Sequence, residues 1–233
     1  MTDSTSAVNI QNADAVCDLF DRAAKAALDD PKRKGSSVFL PQLPGQLPGT
    51  LLIAGDLHDH RVNLRKIINL ADLSHNPARH LVMQELIHGP RLVNGMDLSY
   101  RTSAQVAELQ IQYPGRVHVL LGNHELSQIG GVDIAKHGIS VVDAFHAGLD
   151  YVFGDDADRV HEAYTRWVKT NLLAVRCANG LFCSHSLPAG FKAKLFDPAV
   201  LDRLPTEIDY SMPNGSAHLL VWGRNIDAQW AKD

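Results

Sequence analysis

The tetrads Gly55-Asp56-Leu57-His58 and Gly122-Asn123-His124-Glu125 and the tripeptide Ser184-His185-Ser186 combine carboxylate, amide and imidazole groups. Each follows an apolar run: Leu51-Leu52-Ile53-Ala54, Val117-His118-Val119-Leu120-Leu121 and Leu181-Phe182-Cys183. Short runs of this composition read as strands, so the polar segments would stand at strand ends. Asp56 and His58 lie two apart, and in an extended chain both side chains leave on the same side. One metal ion could take both. Asn123 adds a neutral amide oxygen and His185 another imidazole. Mixed nitrogen and oxygen donors suit borderline ions such as manganese, iron or zinc better than calcium or magnesium. In open α/β sheets ligands gather beyond the carboxyl ends of strands, where all three segments would lie.

The elements that must position these residues can be read in order. Val16, Phe20, Ala23, Ala24 and Ala27 recur at helical spacing, which predicts a helix over Ala13–Leu28 capped by Asn12. Residues Pro41 to Pro48 read as a loop. A strand at Thr50–Ala54, a helix at about Asn63–Leu73 and a strand at His80–Gln84 make a β-α-β unit. A helix around Thr102–Gln110 then leads to a strand at Val117–Leu121. Gly130-Gly131 closes the segment after the Asn-His pair, and a mostly helical stretch follows. Within it Asp155–Leu172 spaces Val160, Tyr164, Trp167 and Val168 along one buried face. The acidic run Asp155-Asp156-Ala157-Asp158 suits the start of that helix better than a cation site. Leu173–Cys177 and Leu181–Ser184 flank Asn179-Gly180 and predict a β-hairpin. A last strand is expected at Ala217–Val221, followed by a short helix to the C-terminus.

At 233 residues and 45% hydrophobic content the chain can bury a sizeable core, and one domain over 1–233 is expected. A formal charge of -4 gives no basic footprint, so nucleic acid is not an expected partner. Cys17, Cys177 and Cys183 contain no Cys-x-x-Cys pair, and an odd number suits free thiols in a reducing compartment. The first residues lack a basic and apolar leader, and no apolar run reaches the length of a membrane span. A cytoplasmic protein without a membrane partner is the expectation.

The order Gly-Asp-Leu-His, Gly-Asn-His-Glu, Leu-Phe-Cys-Ser-His-Ser-Leu-Pro and Val-Trp-Gly-Arg resembles the calcineurin-like metallophosphoesterases, and within them the phosphoprotein phosphatase branch. Tyr113-Pro114-Gly115-Arg116 through Gly-Asn-His-Glu is especially similar. The resemblance covers roughly Leu51 to Asn225. It implies an α/β fold, a metallophosphoesterase-type β-sandwich flanked by helices, with two divalent metal ions bridged by a carboxylate. It implies that Asp56, His58 and Glu85 hold one metal and Glu85, Asn123 and His185 the other. His124 would be the general acid and Arg224 the phosphate-binding arginine.

The departures are specific. The family's Gly-Asp-x-x-Asp-Arg-Gly motif is replaced by Gln84-Glu85-Leu86-Ile87-His88-Gly89-Pro90, so Glu85 falls at the bridging carboxylate. His88 falls at the second Asp, which in the family orients the catalytic histidine, and this leaves the hydrogen bond to His124 an open question. Gly89 stands where the family has arginine, so Arg91 or Arg101 would supply phosphate-binding charge. The family's last metal ligand is a histidine from a late Gly-His strand, expected to lie beyond Asp233, with His218 as the local substitute. The remaining histidines, among them His80, His118, His146 and His161, read as ordinary surface or core residues, and Asp59 as structural. The resemblance implies phosphoester hydrolysis of a phosphoprotein. A small phosphoester or dinucleoside polyphosphate, or a non-catalytic binding role, are the alternatives.

Overall fold

The computed structural model describes residues 8–41, 49–131, 134–136 and 138–224. The loop expected at Pro41 to Pro48 and the helix expected after Asn225 therefore lie almost wholly outside the described residues. Helix α1 runs over Ala13–Leu28, and the Asn12 side chain accepts the Ala15 N–H at 2.9 Å, as the sequence implies. It buries Val16, Leu19, Phe20, Ala23 and Ala24, and its Phe20 ring stacks on Trp167 at a centroid distance of 5.3 Å. Strands β1 (Arg33–Lys34) and β2 (Ser37–Leu40) follow, then β3 (Thr50–Asp56), α2 (Arg61–Ala71), β4 (Arg79–Gln84), α3 (Tyr100–Gln112) and β5 (Val117–Leu120). Helix α4 (Asn123–Gly130) ends at Gly131, whose φ of 64° gives the left-handed turn that stops a helix. After it come β6 (Ala135–Lys136), β7 (Ile139–Ser140), α5 (Val141–Phe153), α6 (Ala157–Val168), β8 (Ala174–Cys177), β9 (Phe182–Cys183), α7 (Glu207–Tyr210) and α8 (Ser216–Trp222).

Strands β3, β4 and β5 form a parallel sheet in that order. A second sheet runs β1-β2-β8-β9, with β2 parallel to β8 and the β8–β9 hairpin antiparallel. The two sheets meet where Leu172 bridges Leu120, and Val38, Val82, Leu120, Leu172 and Val175 form a small shared core. Strand alternation explains the division. Leu81, Met83, Val117 and Val119 point the other way, into the large core with α1, α3 and α6. The result is a mixed α/β architecture, with a parallel sheet, a second sheet against it and flanking helices, as the resemblance implies.

Two features differ from the sequence expectations. Ala217–Val221 is not a strand but most of helix α8, which opens at Gly215, whose carbonyl accepts from Leu219 N at 2.9 Å. Ala217, Leu219, Leu220 and Val221 are all buried, as is His218 between them, and so short a run buried on every side carries no period to tell strand from helix. The short strands β1, β2, β6 and β7 were absent from the sequence reading because two to four residues are too few to show alternation. Cys17 is buried, Cys177 and Cys183 are half-buried, and all three are free. Among the described residues no helix is long and apolar enough to cross a membrane.

Candidate metal centre

The carboxyl ends of the parallel strands share one edge, and the chain leaves each with a tight local fold. After β3, Leu57, His58 and Asp59 form a turn whose N–H groups donate back to Glu85 and Leu86 carbonyls at 2.7–3.0 Å. His58 has φ 44°, Asp59 φ 52°, Glu85 φ 43° and His88 φ 59°. Left-handed backbone in a non-glycine residue costs of order 1–3 kcal/mol and persists where the surroundings over-determine it, commonly at functional sites. Asp56 and His58 are therefore not related by an extended chain. The turn, not strand alternation, aims His58.

Glu85 is the centre of the arrangement. It is 3% exposed, with Oε2 3.0 Å from His58 Nε2 and Oε1 3.5 Å from His185 Nε2. Its Oε1 also accepts the His124 backbone N–H at 3.3 Å, at the start of α4. Burial alone would raise its pKa, but the His58 hydrogen bond and the charges of His185, His124 and His58 outweigh it and hold the carboxyl at about 2. The extra methylene of Glu relative to Asp is accommodated by Gly122, where a Cβ would overlap Glu85 Cγ and lie 2.7 Å from Glu125 Oε2.

Both histidines are oriented from behind. His58 Nδ1 donates to the Ile87 carbonyl at 3.0 Å. His185 Nδ1 donates to Gln84 Oε1 at 3.0 Å, while Gln84 Nε2 reaches the Ala54 carbonyl at 3.3 Å. With Nδ1 protonated, neutral imidazole has an acceptor at Nε2. His58 Nε2 then faces Glu85 Oε2, and His185 Nε2 faces Asn123 Oδ1 at 3.0 Å. Each such pair can be joined by a proton on Nε2, which makes the ring an imidazolium, or by a shared metal cation. The donor set fits divalent metal, and the Nδ1 contacts are the partners that fix a ligating histidine. His58, Glu85 and His124 also place ligand atoms within 4.8 Å of one another.

Asp56 stands at the end of β3, exposed, with its charge felt at His185. Asn123 is the first residue of α4 rather than the end of a strand, and is buried. Burial lowers the pKa of His185, against the raising pull of Glu85 and Asp56. Arg224 is exposed, donates to Gly223 O at 2.8 Å and also acts electrostatically on His185. Arg91 and Arg101 line a cleft that also includes His58 and Asp59. His218 sits on α8 stacked against Trp222. Asp59 accepts from Thr102 Oγ1, in keeping with a structural role.

The open question about His88 has a clear geometric answer. His88 Nδ1 lies 2.9 Å from His124 Nδ1, and His88 Nε2 lies 3.0 Å from Gln128 Oε1. Gln128 Nε2 is 3.3 Å from His161 Nε2, and the His161 ring is 4.4 Å from that of His146. An amide oxygen accepts and an amide nitrogen donates. His88 thus carries its proton on Nε2, and its Nδ1 accepts from His124 Nδ1. Gln84, Gln128 and His161 are the functional neighbours that the sequence did not reveal. Gln84 and Gln128 lack any motif, and His161 lies on a separate helix.

A family model described as calcineurin-like phosphoesterase matches residues 49–224. The chain belongs to that family. This calcineurin-like phosphoesterase thereby joins a hydrolase family that uses divalent metal ions, and its buried donor cluster is consistent with that use. A similar solved structure is described as a protein serine/threonine phosphatase from Saccharomyces cerevisiae with similarity to human phosphatase PP5. It aligns with a TM-score of 0.62 and 13% identity, covering 90% of this chain and 58% of that chain. The likeness supports the fold. No curated protein matches the phosphoesterase chain.

Proposed function

We propose that this phosphoesterase hydrolyses a phosphoester at a dinuclear centre bridged by Glu85. The observation that carries the reading is the division of one buried carboxylate between two oriented histidines, Oε2 toward His58 and Oε1 toward His185. Asp56, His58 and Glu85 would hold one divalent ion, and Glu85, Asn123 and His185 the other, with manganese, iron or zinc as the candidates. When bound, such ions supply a nucleophile at neutral pH by lowering the pKa of water and neutralise charge on the phosphoryl oxygens.

The chain's own residues do the rest. Arg224, beside His185, would pair with phosphoryl oxygens through its planar fork, and Arg91 and Arg101 supply further positive charge on the His58 side. His88 holds His124 by Nδ1, which directs Nε2 of His124 to give a proton to the departing alkoxide. The description of the similar yeast structure makes phosphoserine and phosphothreonine esters the first substrates to try. Small phosphoesters and dinucleoside polyphosphates come next. The three free cysteines suit a reducing compartment, and a cytoplasmic role is the working assumption.

The test is elemental analysis of protein supplemented with each metal, combined with thermal melting before and after chelation. Bound metal should raise the melting temperature, because binding to the native state alone adds stability. His124→Asn should retain metal while losing more turnover on an alkyl phosphate than on a nitrophenyl phosphate, since a good leaving group needs less acid help. Absence of all metals with unchanged melting would refute the dinuclear reading. Metal without hydrolysis of any phosphoester would favour the non-catalytic binding role.

A further inference from the structure

A cleft of about 230 Å³ is lined by His58. Its lining includes Arg61, Arg91, Arg101, Val62, Val93 and Leu98. Among the described residues none of the three arginines is in an ion pair, so their charges are open to an anion in the cleft. The acidic residue in the lining, Asp59, is engaged by Thr102, whose Oγ1 donates to it. The start of α2 contributes to the same wall through His60, Arg61 and Val62, and its first turn has no acidic residue. A cation at a helix N-terminus is unfavourable by itself, and an anion placed there offsets both the dipole and the arginine.

We propose that this cleft binds a second phosphate group carried by the substrate's leaving alcohol, so that the preferred substrates are bisphosphorylated small molecules. The proposal rests on the phosphoesterase reading above. A single bidentate arginine satisfies a carboxylate, whereas three guanidinium groups suit the greater charge and extra oxygens of a phosphate. His58 belongs to both sites, so an alcohol of a few carbons could bridge from the reacting phosphoryl group to the cleft. The apolar Val62, Val93 and Leu98 would pack on that carbon chain.

The probe pair is propane-1,3-diol monophosphate and propane-1,3-diol bisphosphate, which differ only in the second phosphate. The bisphosphate should have the higher kcat/KM, by about tenfold or more, the size expected for one charge-assisted hydrogen bond. The difference should lie in KM and shrink with salt. Arg61→Gln and Arg91→Gln should each reduce the preference, and the double variant should abolish it. Equal kcat/KM for the two probes, or a preference that survives in the double variant, overturns the proposal. If neither probe is hydrolysed and nitrophenyl phosphate and phosphopeptides are not hydrolysed either, the phosphoesterase reading is what fails. The cleft is then judged by calorimetric titration of inorganic phosphate into the chelated chain, where binding lost in the double variant supports it, and binding absent or unchanged overturns it.

Discussion

Gly122→Ala isolates the steric basis of the Glu85 site. Gly122 has φ -96° and ψ 168°, a conformation open to alanine, so the change carries no backbone penalty. The added Cβ would overlap Glu85 Cγ, stand 2.7 Å from Glu125 Oε2 and lie 3.2 Å from Glu85 Oε1. Neither glutamate can move aside freely. Glu85 is held by His58, His185 and the His124 N–H. Glu125 Oε1 accepts the Leu86 N–H at 2.8 Å and the Ile87 N–H at 3.4 Å. Overpacking of this kind costs about 1–3 kcal/mol, a fall of roughly 2–12 °C in Tm for a domain of this size. Because the displaced group would bridge the metals, turnover should fall further, by about 10²-fold for a shift near 1 Å. Gly130→Ala, at the end of α4 with nothing within 4 Å of the new Cβ, is the control and should melt no lower than the parent, by helix propensity up to about 4 °C higher. Calorimetric melting, metal content and phosphoester turnover give three readouts. A Gly122→Ala protein with parental Tm, metal content and rate would refute the packing of Glu85 against this glycine.

Other expectations concern positioning and pH. His88→Ala should lower kcat on an alkyl phosphate by about tenfold or more while changing a nitrophenyl phosphate less, and His88→Asp should recover part of the loss by restoring an acceptor for His124 Nδ1; equal effects on both esters would argue for a purely structural His88. His118 is buried beside His80, and burial with the neighbouring ring depresses its pKa to about 3. The unfolded chain binds the proton first, so stability should fall as pH drops from about 6.5 toward 3, and His118→Gln should flatten that fall in urea titrations across the range. Asp209 is held far below its ordinary value by Arg203, against burial and with help from Thr206. Asp209→Asn should cost about 1–2 kcal/mol at pH 7 as a lost helix cap and ion pair, and the gap to the parent should narrow as pH falls below 3.8, a comparison that denaturation at two pH values decides.

The sequence alone determined much of this protein, wherever the information is local. Asn12 caps α1 because a short amide reaches back to the third N–H, and Asn179-Gly180 turns β8 into β9 because Gly180 takes φ 89° without a side-chain clash. The polar ends of the parallel strands could likewise be read, since each apolar run ends just before its ligand group. What needed tertiary structure was every relation between distant segments. The extended-chain argument for Asp56 and His58 gave way to a left-handed turn pinned by Glu85 and Leu86 carbonyls, which no local pattern encodes. The buried run at Ala217–Val221 became helix because a segment buried on all sides is assigned by what surrounds it. His88 meets His124 because the segment after β4 lies against α4, and Gln128 reaches His161 because α4 packs on α6. The same is true of Glu85. Sequence placed it at a strand end, but only the tertiary structure brings His58 to one of its oxygens and His185 to the other.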